Sequence, residues 1–217
     1  MDWAALFDRA PTADQATIAA ALPAAREKAA STTASGDTDA QITEPREPEP
    51  TRVVADADVL AADLLIGGPS RRALTGLWQH PWTTLVASDP LLSTAETVIA
   101  TVVDDSLDDD SLDNDSLGDN SLAADWRDLI EAWCEPVVHP AGDHPALASA
   151  YRGGAMHVLS FDETLTDSGT AATLAGRFPV SVRSPGAFDQ LFDPESLYTT
   201  VDDGTYPGPQ RPPRSTE

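Results

Sequence analysis

Apolar and polar positions divide the chain into two apolar stretches with a polar gap between them. In residues 1–29, Trp3, Leu6 and Phe7 share one helical face. An alanine-rich stretch follows, capped by Thr12 or Asp14 and running to about Ala29. Residues 30–51 are polar and proline-bearing, with almost nothing to bury, so they read as a disordered linker. The pattern therefore predicts a detachable N-terminal helical appendage (1–29) outside the main core. From Arg52, short apolar runs alternate with helical periodicity. VVADADVL (53–60), TTLVAS (83–88), Val137–Val138, MHVLS (156–160) and VSVRS (180–184) are predicted strands.

Helices are predicted between them. They cover Pro69 to His80, the segment after Ser88 or Asp89 to about Val103, Leu122 to Trp133, Pro145 to Arg152, Ala171 to Phe178, and Gly186 to Phe192. Strands alternating with helices imply an α/β domain over 52–202. Its central sheet has four to five mostly parallel strands and is covered by helices on both faces. Residues 104–121 interrupt it with an acidic, low-complexity DDSLD-type repeat that lacks the glycine turn and bidentate glutamate of a calcium loop. Residues 203–217, rich in Pro and Gly, read as a disordered tail.

Composition changes the picture in one respect. Of 217 residues, 36 are acidic and 13 basic, for a formal net charge of -23, and Lys28 is the only lysine. That balance suits a cytoplasmic protein working in concentrated salt, where a dense acidic surface keeps it dissolved. At molar salt the Debye length is only about 3 Å, so the net charge does not exclude a nucleic acid partner. Cys134 is the lone cysteine, so no intrachain disulfide can form. The N-terminus lacks a signal-peptide pattern and no window is apolar enough for a membrane span.

In a parallel sheet, ligands gather at the carboxyl ends of the strands. Asp56 lies near the end of the first predicted strand and Asp162 lies two residues past MHVLS. Asp143 opens the helix before that strand, and Glu96 sits in the helix after TTLVAS beside Ala95, Val98 and Ile99. A buried carboxylate is costly unless paired, and a hard cation is a common partner for several of them. His80, His139, His144 and His157 show no metal-ligand spacing, and Cys134 reads as a buried helix residue.

These acids, in this order, resemble a PIN domain. The resemblance rests on Asp56-x-Asp58 at the first strand, the isolated Glu96, and the stretch DHPALASAYRGGAMHVLSFD with its Ser160-Phe161-Asp162 ending. It covers about residues 52–192. It implies a three-layer fold and a metal-dependent nuclease, usually acting on RNA. Asp56, Glu96, Asp143 and Asp162 would be the catalytic acids that hold Mg²⁺ or Mn²⁺, with Asp58 and Ser160 supporting them. Arg71, Arg72 and Arg152 are the candidates to meet nucleic acid, with surface arginine as their plainer reading. Homodimerisation is common in that family.

Two rival readings remain open. A PIN-like fold with a weakened site would be a non-catalytic interaction module, docking a protein partner through residues 1–29. VVADADV also fits the nucleophile motif of haloacid dehalogenase-like phosphatases, with Asp56 as nucleophile. That chemistry usually needs a later lysine, and Lys28 lies before the strand.

Overall fold

A computed structural model describes residues 1–35, 41–108, 120–167 and 179–215. Most of the acidic repeat and the predicted helix at Ala171 to Phe178 lie outside the described residues. Five parallel strands form one sheet: β1 (Glu49–Ala55), β2 (Thr84–Ser88), β3 (Glu135–Val137), β4 (Ala155–Leu159) and β5 (Ser181–Arg183). Their order is β3-β2-β1-β4-β5, so β1 is central and the sheet grows outward from it in both directions.

Register sorts the side chains by face. Val53 pairs with Leu85 and His157, and Val54 pairs with Val158. Helix α7 (Pro145–Gly153) covers the Val54 side, where Gly153 presses on Val86 so closely that a Cβ would collide with it. Helices α4 (Gly68–Gln79) and α9 (Pro185–Leu191) lie on the other side, near Val53 and His157. Helices thus flank both faces of an all-parallel sheet. Its central strand is accordingly buried from Thr51 to Ala55 without alternation. Among the described residues no helix is long and apolar enough to cross a membrane.

The run VVADADVL is strand only as far as Ala55. Helix α3 (Ala57–Leu65) begins at once, and Asp56 caps it by accepting the Ala57 amide at 2.8 Å. Asp58 therefore sits in the first turn of a helix, where the dipole favours a carboxylate, and not in a strand. All nine residues of α3 are buried. A helix with no solvated face shows no helical periodicity in its sequence.

The N-terminal segment is part of the main core. Helix α1 (Trp3–Arg9) and helix α2 (Gln15–Ser35) contribute Trp3, Leu6, Ile18, Leu22 and Ala25 to the same apolar cluster as Val54 and Leu60. Asp14 accepts the Thr17 amide at 2.8 Å, as its capping role required. The expected detachable appendage is thus a packed layer. It lies against α3 and against α5 (Asp89–Asp108), which runs further than its predicted end near Val103.

The flanking segments also differ from expectation. Residues 41–48 run along the protein with defined bonds: the Thr43 amide donates to Val138 O at 3.0 Å and Thr43 Oγ1 accepts the Val138 amide at 2.8 Å. The described part of the C-terminal tail is strapped down. The Gln210 amide donates to Gln79 O at 2.8 Å, and Trp78 Nε1 donates to Pro212 O at 3.1 Å. Arg214 is 3% exposed and bonds both carboxylate oxygens of Asp63, at 2.7 and 2.8 Å. Its guanidinium also lies over the rings of Trp3, Phe7 and Trp133, at 4.9, 5.4 and 5.2 Å from their centroids. Composition alone hides such a segment, because one buried arginine and its partners outweigh the prolines around it.

Candidate acidic site at the carboxyl edge of the sheet

The carboxyl ends of β1 and β4 are neighbours, since Ala55 pairs with Leu159. The residues that leave those ends are Asp56 and Asp58 from one strand and Ser160 and Asp162 from the other. Ser160 is fully buried and links the first two, its Oγ lying 3.1 Å from Asp56 Oδ2 and 3.3 Å from Asp58 Oδ2. The Phe161 amide donates to Asp58 Oδ2 at 3.0 Å. Asp162 caps helix α8 (Glu163–Thr166), accepting the Thr164 amide at 2.9 Å and the Thr164 hydroxyl at 2.6 Å.

Arg26 of α2 stands in front of this group. Its guanidinium approaches Asp56 Oδ2 at 3.8 Å and Asp162 Oδ2 at 3.9 Å. It also lines two small cavities. One, of about 210 Å³, includes Asp58, Phe161 and Asp162; the other, of about 200 Å³, includes Asp143, His139 and His144. Asp143 is therefore near Arg26 but exposed, and it does not cap α7, whose N-cap residue is His144. His139 closes the second cavity: its Nδ1 donates to Pro140 O, and its Nε2 accepts from Ser88 Oγ, each at 3.0 Å.

Glu96 does not join the group. Its carboxylate pairs with Arg127 of helix α6 (Asn120–Trp133) at 3.8 Å, and it lines neither cavity. Arg127 also serves Asp89 and Glu131, and this cationic centre on a neighbouring helix competes for the glutamate. The arginines expected at a nucleic acid surface are occupied by the fold. Arg71 donates to the carbonyls of Asp63 and Leu64 at the end of α3 and lies over Phe7. Arg72 pairs with Asp189, and Arg152 donates to Thr43 O.

The electrostatics centre on Asp58. Burial, and then the neighbouring Asp56 carboxylate, push its pKa up to about 7. Its Oδ1 is buried with no hydrogen-bond partner. Asp162 moves the other way. Burial raises it, but the Thr164 hydroxyl and amide and the charges of Arg26 and His144 outweigh that and hold it below its usual value. Burial also pushes the Cys134 thiol up to about 12, which removes it as a nucleophile at neutral pH.

The Asp58 shift has a measurable consequence. The folded protein keeps this proton to about pH 7, whereas the unfolded chain releases it near 3.8. The associated stability is complete below the unfolded value and is lost as pH rises through about 7. Asp58→Asn is expected to flatten that slope and to be more stable than wild type at about pH 8, by about 1–3 kcal/mol. Urea titrations at about pH 5 and pH 8 check this. A variant that keeps the wild-type slope would assign the proton to another group.

The oxygens of Asp56, Asp58, Asp162 and Ser160 are hard donors, and one of them is an orphan, so the donor chemistry fits a hard cation such as Mg²⁺ or Mn²⁺. Among the described residues, however, no three acid, histidine or cysteine side chains stand ready as a ligand set. A guanidinium stands between two of the carboxylates.

The sequence matches one family over residues 47–114 and 108–214, described as Family of unknown function (DUF7384). The chain belongs to this family. The match takes in the sheet, the acidic edge and Arg214, and its two parts meet inside the acidic repeat; it does not include α1, α2 or Arg26. No curated protein and no solved structure matches the chain.

Arg26 is the residue of the acidic edge that sequence reading passed over. Its only signal was its position: a lone arginine next to the buried Ile18-Leu22-Ala25 stripe of an alanine-rich helix.

Proposed function

We propose that the acidic edge is the centre of a metal-dependent phosphodiesterase that acts on RNA, in the manner of the PIN domains the sequence resembles. The observation that carries this reading is the convergence of Asp56 and Asp162, from two adjacent central strands, on one cation position. Those two carboxylates would hold Mg²⁺ or Mn²⁺, with Asp143 on the neighbouring cavity as a further oxygen donor. Ser160 ties Asp56 to Asp58 and fixes the direction of both carboxylates. A bound divalent ion supplies Lewis acidity and a more acidic water for in-line attack on phosphorus. In this reading the cavity beside His139, His144 and Asp143, which Arg26 also lines, is where a substrate phosphate would enter. Glu96 is left out of the proposed site.

The second reading is a non-catalytic PIN-like module, favoured by Arg26 in the cation position. In that case the guanidinium is a permanent counter-charge and the edge is structural. Partner docking through the apolar stripe of residues 1–29 receives no support, because that stripe is spent on the protein's own core.

The test is Mn²⁺-dependent cleavage of a mixed-sequence RNA in molar KCl. Asp56→Asn and Asp162→Asn are expected to lower cleavage by at least about 100-fold, the scale of a lost metal ligand or charge-stabilising group. If wild type and Arg26→Ala are both inert across RNAs and metals, the nuclease reading fails and the module reading stands. Turnover of a simple aryl phosphate that depends on Asp56 would point to phosphatase chemistry instead.

A further inference from the structure

A third cavity, of about 350 Å³, lies on the Val53 face of the sheet, between β1, β4 and β5 and the helices α4, α9 and α10 (Pro194–Tyr198). It is separate from the acidic edge and shares no lining residue with the two cavities there. Its floor is apolar, built from Val53, Leu77, Phe188 and Leu197. Two polar groups break that lining. His157 lines the cavity with a ring that makes no hydrogen bond to the described residues; its Nδ1 is shut off from solvent, which leaves Nε2 as the nitrogen to meet a ligand. The side chain of Arg183 makes no hydrogen bond or ion pair with the described residues, although the protein carries 36 acids that might have claimed it.

An unused cation beside an unused imidazole nitrogen, over an apolar floor, is the arrangement that recognises one end of a small molecule and buries the rest. Burial, and then the charge of Arg183, lower the proton affinity of His157, so the ring is neutral at neutral pH and offers one donor or one acceptor. Asp193 also lines the cavity. One of its oxygens accepts the Ser196 amide at 3.1 Å, and its charge opposes a second negative charge nearby. That selects against polyanions such as nucleotides.

We propose that this cavity binds a small amphipathic monocarboxylate, with the carboxylate on Arg183 and His157 and an apolar body of roughly six heavy atoms over Leu77, Phe188 and Leu197. The inference does not depend on the proposed nuclease activity.

The test uses the full chain in molar KCl with hexanoate as probe, followed by the NMR signals of the His157 ring. Hexanoate is expected to shift them saturably. Hexanol and pyrophosphate are expected to bind at least about tenfold more weakly, the scale of one lost charge-assisted hydrogen bond. Arg183→Met is expected to lose the preference for hexanoate over hexanol, while Leu197→Trp fills the floor and abolishes binding of both. Equal binding of hexanoate by wild type and Arg183→Met, or no saturable shift at His157, overturns the proposal. An unchanged melting temperature in Arg183→Met shows that its loss of preference is not unfolding.

Discussion

Arg26→Ala is expected to raise the affinity of the acidic edge for Mn²⁺ by about tenfold or more, since it removes a competing positive charge from between two carboxylates. In wild type the guanidinium lies 3.8 Å from Asp56 and 3.9 Å from Asp162, so an incoming cation has to displace it. Without metal the variant should melt below wild type, because Asp56 is 2% exposed and loses its counter-charge. With Mn²⁺ it should recover that loss, so its melting temperature should respond to the metal far more than that of wild type. Calorimetric titration gives the affinity and a melting series with and without Mn²⁺ gives the linkage. The measurement also separates the two functional readings. A variant that loses stability and gains no Mn²⁺ response would mark Arg26 as a permanent structural partner and end the metal reading.

The second large effect is expected at the other end of the chain. Arg214→Ala should destabilise the fold by about 3–5 kcal/mol, because it strands a buried aspartate. Asp63 is 1% exposed and both of its oxygens are bonded by Arg214. The same substitution also removes the cation from the rings of Trp3, Phe7 and Trp133, loosening α1. Arg214→Met combined with Asp63→Leu should regain much of the loss, since an apolar pair of similar size avoids the stranded charge. Urea denaturation in molar KCl reads both. If Arg214→Ala loses less than about 1 kcal/mol, the strap contributes no more than an exposed ion pair does.

The core of this fold was readable because strand and helix patterns there obey local rules. Each of the five strands was anticipated from a short apolar run, and the placement of Asp56 and Asp162 at strand ends followed from the parallel sheet. Local rules failed where a distant residue decided the outcome. Asp58 falls in an apparent strand because an all-buried helix looks apolar throughout. Glu96 was drawn to Arg127, a partner 31 positions later that helical periodicity does not reveal. Arg26 meets acids just past the ends of β1 and β4 that lie far from it in sequence, and composition places its helix in an appendage. The tail was read from its prolines, yet one arginine inserted into an aromatic nest holds it. The last three misses share one cause: charge pairing over long sequence separation.

The strap also bears on how fast the protein acquires its structure. Arg214 and Asp63 are 151 positions apart, and the ring of Trp3 is further still. Contacts of such long range are costly to close before the intervening chain is ordered, so they form after the nucleus and not within it. Sheet formation can begin at β1 and β2, whose paired residues Arg52 and Thr84 are only 32 positions apart. Docking of α1 by Arg214 then becomes a late, separately observable phase, and substitutions at Arg214 should speed unfolding while leaving the main folding rate almost unchanged.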